Sequence, residues 1–196
     1  MKTLCKTALL GLAFVSTASM AQLTNFTGWE AGASLNVNNA KSKASAAGAS
    51  DSIDDSNTNA SLSLHGGYGV ALNNDYALLF GLDVTADKIK SGEFRGTSAY
   101  FKTPYAVSVA PAMLLNDDTL LFVKLSYEAA DLTSSYSDYK LSIKGYGLGV
   151  GGRYLLNKGM YVQAELKGIN YKDTDDSGAT YKNSNTQLNL GIGFNF

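Results

Sequence analysis

The sequence predicts an all-β fold: an eight-stranded antiparallel up-and-down transmembrane β-barrel over residues 22–196, preceded by a cleavable signal peptide over residues 1–21. Three observations lead there. Apolar residues alternate with small or polar ones at a period of two through eight segments. Short Asn/Asp/Gly connections recur at nearly constant spacing. No window after the N-terminal segment approaches the roughly 18 consecutive apolar residues of a membrane helix, and heptads are absent.

The N-terminus carries Lys2 and Lys6, then the apolar run Ala8 to Val15, then small residues ending Ser19-Met20-Ala21. This is the three-part pattern of an export signal, with cleavage expected after Ala21. The run is far shorter than the roughly 20 residues of a spanning anchor. Cys5, the only cysteine, precedes the apolar run, so it is not placed to be a lipidated cysteine, and the expected mature chain has none. Without disulfides, packing or a membrane must hold the exported chain together. Removing Lys2 and Lys6 leaves 14 basic residues against 17 acidic, a formal charge of −3, so no basic footprint for nucleic acid exists.

The alternation is clearest at two segments. From Tyr76, the even positions Tyr76, Leu78, Phe80, Leu82 and Val84 are apolar, whereas the odd ones include Gly81, Asp83 and Thr85. At the C-terminus Leu188, Leu190, Ile192, Phe194 and Phe196 alternate with Gln187, Asn189, Gly191, Gly193 and Asn195. Comparable strands are expected near 26–37, 58–72, 103–115, 119–129, 143–156 and 160–170, each about 10 to 13 residues long. Between them, Leu72-Asn73-Asn74-Asp75, Leu115-Asn116-Asp117-Asp118 and Leu156-Asn157-Lys158-Gly159 read as tight turns, with their asparagines 43 and 41 residues apart. The other connections, at 38–57, 86–102, 131–140 and 172–186, are long and polar and fall on the opposite side. Short turns on one side and long loops on the other is the asymmetry of barrels in the bacterial outer membrane. Pro111, inside the strand at 103–115, cannot donate to a ladder, so a bulge or a break is expected there.

A soluble lipocalin-like barrel alternates too, with its apolar set inside. Lipid outside is favoured because the opposite face is Gly, Ser, Ala and Asn with few charges, as at Gly145, Gly147, Gly149 and Gly151. The apolar set also puts aromatics near strand ends: Trp29, Tyr76, Tyr154 and Phe196 towards the turns, Tyr105, Tyr127 and Tyr146 towards the loops. Membrane interfaces select such girdles. Parity sends Glu30, Asp83, Lys124, Glu128, Arg153, Glu165 and Lys167 inward, where Lys124 and Arg153 are each expected beside one of Glu30, Glu128 or Glu165. The inward glycines either leave a cavity beside Arg153 or make room for Leu79, Phe122 and Tyr161.

The pattern resembles the eight-stranded outer-membrane barrel family that includes the transmembrane domain of outer-membrane protein A and the opacity-type surface proteins. The resemblance spans residues 22–196 and is carried by Leu190-Gly191-Ile192-Gly193-Phe194-Asn195-Phe196 and by Gly145-Tyr146-Gly147-Leu148-Gly149-Val150-Gly151-Gly152-Arg153-Tyr154. It implies that Phe196, with Phe194, forms a terminal signal read by the barrel-assembly machinery.

Candidate chemistry is sparse. His65, the only histidine, falls on the inward face with no nucleophile identified beside it, so an enzyme is not expected. Asp173, Asp175, Ser177 and Gly178 match the opening of a calcium loop, but its twelfth position is Ser184 instead of a bidentate Glu. An acidic solvated loop is the better reading, and no metal or other cofactor is expected. Asp51, Asp54 and Asp55 form a second acidic cluster that could bridge cations to lipopolysaccharide. The expectation is a monomeric barrel among outer-membrane lipid and lipopolysaccharide, displaying four loops for surface interaction (adhesion to a host or surface ligand) or envelope integrity. The alternatives are a small channel for polar solutes or a soluble lipocalin-like carrier. Eight strands enclose a space that side chains just fill, which disfavours a pore.

Overall fold

A computed structural model describes residues 23–46, 52–94, 97–134, 140–176 and 179–196. The signal-peptide reading at 1–21 lies outside the described residues. Ten strands follow a short 3₁₀ turn at Leu23–Phe26: β1 (Gly28–Ala46), β2 (Ser52–Ala71), β3 (Tyr76–Thr85), β4 (Ile89–Phe94), β5 (Thr97–Asn116), β6 (Thr119–Ser134), β7 (Lys140–Asn157), β8 (Met160–Tyr171), β9 (Thr174–Asp176) and β10 (Ala179–Asn195). Eight of them form the ring β1-β2-β3-β5-β6-β7-β8-β10, antiparallel throughout and closed by pairing of β1 with β10. Closure leaves the ring without a free edge.

The tight turns follow from asparagine chemistry. Asn73 Oδ1 accepts from the backbone N–H of Asp75 and of Tyr76, both at 2.9 Å, and Asn116 Oδ1 accepts from Asp118 N–H at 3.1 Å. The third turn uses Gly159 at φ +85°, a left-handed conformation that favours glycine.

Three expectations need correction. Of the ring strands, β3 and β8, at 10 and 12 residues, keep to the expected 10 to 13, whereas others are much longer: β1, β2 and β5 span 19, 20 and 20. Most of the supposed loops at 38–57, 86–102, 131–140 and 172–186 are strand, because Asn, Ser and Thr there pair across the ladder and bond to one another through side chains. Third, the strand does not begin at residue 26: Leu23 and Phe26 fold under the barrel as a plug, fully buried, with Thr27 Oγ1 donating to Leu23 O at 3.1 Å. The break expected at Pro111 is present, without a bulge: pairing of β5 with β6 skips Ala110 and Pro111, although Val109↔Leu125 and Ala112↔Phe122 keep one register and Leu78↔Pro111 is in register on the β3 side. A register shift falls between Lys102 and Tyr105, where Thr103 has φ +48° before Pro104. This bulge exchanges faces, so that Phe101, Pro104 and Ala106 are all buried.

β3 stops at Thr85, and β4 continues the wall above it. Asn59 of β2 holds β4 from both sides, donating to Lys90 O at 3.0 Å and accepting from Lys90 N at 2.6 Å. Asp55 accepts from Glu93 N at 2.5 Å.

Candidate functional site

At mid-height of the ring the lumen holds the charged residues that parity sends inward. Arg153 of β7 reaches Glu30 of β1 with both guanidinium ends, Nη1 at 2.5 Å and Nη2 at 2.9 Å, and donates through Nε to Gln163 Oε1 at 2.8 Å. Its guanidinium lies over the Tyr161 ring, 4.5 Å from the centroid. Lys124 Nζ donates to Glu165 at 2.5 Å, and Lys167 Nζ donates to Glu128 at 2.9 Å. Ser126 Oγ also donates to Glu128, at 2.6 Å. Buried pairs recover their desolvation cost only with geometry of this quality and with further hydrogen bonds.

Glycines on neighbouring strands create the space. A Cβ on Gly67 would lie 2.9 Å from a Glu30 oxygen, one on Gly147 3.0 Å from Glu128, and one on Gly149 2.7 Å from Glu165. A Cβ on Gly151 would strike Phe122, and one on Gly193 would strike Tyr161. Of the four inward glycines of β7, Gly147, Gly149 and Gly151 therefore make room for side chains, and Gly145 lies against the β8 backbone. The remaining acid, Asp83, forms none of these pairs and is the cross-strand neighbour of His65. His65 Nε2 bonds to the Tyr161 hydroxyl at 3.1 Å, and Tyr161 is fully buried beneath Arg153. This geometry holds a ring in place and presents no activated nucleophile.

Apolar clusters close both ends of the charged layer. On the turn side Leu23, Phe26, Leu79, Leu120, Phe122, Leu155 and Tyr161 pack together. On the loop side Ala40, Ile89, Phe101, Ala130, Ile143, Ile169 and Tyr171 do the same, with Phe101 and Tyr171 rings 5.2 Å apart. Between the charges and this upper cluster, Asn185 donates to Asn38 at 3.0 Å, Asn38 to Ser61 at 2.9 Å and Asn36 to Ser63 at 2.5 Å, and Ser63 meets Thr85 at 2.9 Å. Two internal cavities of about 20 Å3 each flank Asp83, room for about a water or two apiece.

The outer wall is apolar, which rules out the lipocalin-like alternative. Leu148, Val150, Leu64 and Leu190 are each more than half exposed. Trp29, Tyr76, Tyr154 and Phe196 project outward at the turn side, with Tyr105, Tyr127 and Tyr146 outward at the loop side. Tyr68 joins the first group, its ring 5.0 Å from Trp29, and sequence parity alone would have placed it there. The eight residue steps from Tyr154 to Tyr146 cover ~27 Å along β7, or about 20 Å of height at the usual tilt, matching the band such barrels present to lipid.

Two acidic residues of the candidate calcium loop are engaged with their own neighbours. Asp173 pairs with Lys182 at 2.9 Å, and Asp175 accepts from Thr180 at 2.6 Å. Ser177 and Gly178 lie outside the described residues, as do Asp51 and the Asp54 side chain. Among the described residues no cluster of three His, Cys, Asp or Glu could hold a metal.

A family model described as outer membrane protein beta-barrel domain matches residues 7–196. Comparison with curated proteins gives no match. Among solved structures the chain is similar to outer membrane protein AlkL in lipid bilayers, at 11% identity over 94% of each chain with a TM-score of 0.55. It is also similar to the outer membrane protease OmpT of Escherichia coli, at 10% identity over 86% of this chain and 96% of that one, TM-score 0.50. A third is Ail, the attachment invasion locus protein of Yersinia pestis, at 18% identity over 85% and 99%, TM-score 0.45. At these identities the likeness is one of fold.

Proposed function

The chain belongs to the outer membrane protein β-barrel family and is a multi-pass barrel of the bacterial outer membrane, and from that premise we propose that it acts through its loop-side end, in surface interaction or envelope integrity, and not by conduction or turnover. The carrying observation is the contrast between a filled lumen and a long projecting wall. The lumen holds three ion pairs between two apolar clusters. The wall continues nine residues past Val37 in β1, roughly 30 Å along the strand, well beyond the aromatic level.

Export by residues 1–21 and reading of the exposed Phe196 by the assembly machinery belong to this proposal. So does a monomeric barrel surrounded by outer-membrane lipid and lipopolysaccharide. Against catalysis stands His65, whose hydroxyl partner, Tyr161, is fully buried.

The test is conductance in planar bilayers together with attachment of cells displaying the protein. Replacing residues 47–51, 95–96, 135–139 and 177–178 with Gly/Ser should abolish attachment while assembly persists. Steady single-channel conductance from the intact protein would overturn the proposal.

A further inference from the structure

The outward faces of β1, β10, β8 and β7 differ from the rest of the wall in two linked ways. At mid-belt, small residues at Ala33, Gly152 and Ala164, edged by Leu35, Leu62, Tyr154, Val162, Leu190 and Ile192, leave an apolar trough of about 660 Å3. The same ladders lead from that trough to lysines. Along β1 and β10 the outward pairs run Ala33/Ile192, Leu35/Leu190, Val37/Leu188, Asn39/Thr186, Lys41/Ser184 and Lys43/Lys182. Along β7 and β8 they run Tyr154/Val162, Gly152/Ala164, Val150/Leu166, Leu148/Gly168 and Tyr146/Asn170. Lys144 and Lys172 come next, bridged by a backbone bond from Lys172 N to Lys144 O at 2.7 Å.

Like charges directly opposite on a sheet destabilise it; Lys43 also faces Asp54 of β2, but Lys144 has Ala129 on its other side, so the Lys144/Lys172 pair is not explained by strand pairing. That pair follows the girdle tyrosine Tyr146, over whose ring Lys172 Nζ lies at 5.9 Å. The acid partners present are weak competitors for an anion: the Lys182–Asp173 pair is more than half exposed on both sides. The wall of β2 and β3, by contrast, fills its belt with Leu62, Leu64, Tyr68, Phe80, Leu82 and Val84.

We infer that this four-strand face docks the phosphorylated glycolipid of the outer leaflet, lipopolysaccharide, its phosphates taken by Lys41, Lys144, Lys172 and Lys182 and an acyl chain lying in the trough beneath. The inference rests on the reading that the loop side faces the exterior. An acyl chain suits the trough because the belt between the aromatic levels is in contact with lipid, and phosphate suits the lysines by charge.

The test reconstitutes the full-length protein in phosphatidylcholine vesicles with or without lipopolysaccharide and follows the temperature at which the folded, fast-migrating form is lost. Lipopolysaccharide should raise that midpoint. The K41Q/K144Q/K172Q/K182Q variant should lose more than half of the rise while keeping the wild-type midpoint in phosphatidylcholine alone, and Ala33→Leu with Ala164→Leu should lose part of it. Dephosphorylated lipopolysaccharide should act like phosphatidylcholine. An undiminished rise in the lysine variant overturns the inference, as does an equal rise with phosphatidylglycerol, which would mean a general anionic surface, or cross-linked dimers through this face. None of these outcomes bears on whether the barrel conducts or mediates attachment, so the wider proposal stands or falls separately.

Discussion

The charged layer at mid-height of the lumen and the neutral polar layer above it share only β1, and they satisfy buried side chains by different chemistry. At depth the groups are ionic: Arg153 with Glu30, Lys124 with Glu165 and Lys167 with Glu128, each acid lying over a neighbouring glycine. Beyond it they are neutral: Asn185, Asn38 and Ser61, then Asn36, Ser63 and Thr85, linked across four strands. Ionic pairs tie non-adjacent strands together, β1 to β7 and β6 to β8, whereas the amide ladder links adjacent strands. The lower layer should therefore govern closure of the barrel as a whole, and the upper one should govern only the local order of the projecting wall.

That contrast can be broken most forcefully at Arg153. Arg153→Met leaves Glu30 without its partner in a closed interior and should cost about 3–5 kcal/mol, read as a lower urea midpoint for loss of the folded form in detergent. A cost below about 1 kcal/mol would mean that Glu30 finds another partner and that the layer is not cooperative. Next comes Gly149→Val, whose side chain would occupy the space of the Glu165 carboxylate and displace it from Lys124. Overpacking of this kind should cost about 1–3 kcal/mol by the same measurement. In the upper layer Asn38→Ala removes bonds to both Ser61 and Asn185 and should cost about 1 kcal/mol. Its distinctive readout is faster amide exchange in β1 and β2 beyond Leu35, with the global midpoint nearly unchanged. An equal loss of midpoint for Asn38→Ala and Arg153→Met would erase the proposed difference between the layers. The smallest effect belongs outside the lumen: Lys144→Gln should stay within about 0.5 kcal/mol in phosphatidylcholine, because that side chain is exposed.

The legibility of the molecule from its sequence follows the same division. A period of two is a property of the strand itself, so Tyr76 to Thr85 and Gln187 to Phe196 declared their faces without any tertiary knowledge. The girdle aromatics and the seven inward charges come from that same parity. Sequence also showed the tight turns, because Asn73 and Asn116 act on backbone groups two and three residues away. Strand length was misjudged because polarity was read as loop. Asn38, Ser42, Asn183 and Asn185 look like loop residues until their partners, distant in the chain but on the neighbouring strand, are known. Phe26 was assigned to a strand because a plug has no periodicity, and its burial depends on Leu79, Phe122 and Tyr161 from three other strands.

What the sequence determined by itself was the class of fold, the membrane-facing set of side chains and the set of charges that must turn inward, since all three are local consequences of alternation and of the cost of charge in lipid. Only the tertiary structure decided which acid meets which base, that Asp83 is left facing His65, that the bulge falls at Thr103 and not at Pro111, and that four lysines gather above an apolar trough on one side. Those outcomes depend on the register and closure of the ring, which bring residues more than a hundred positions apart, such as Glu30 and Arg153, into contact. No period within a strand encodes that distance.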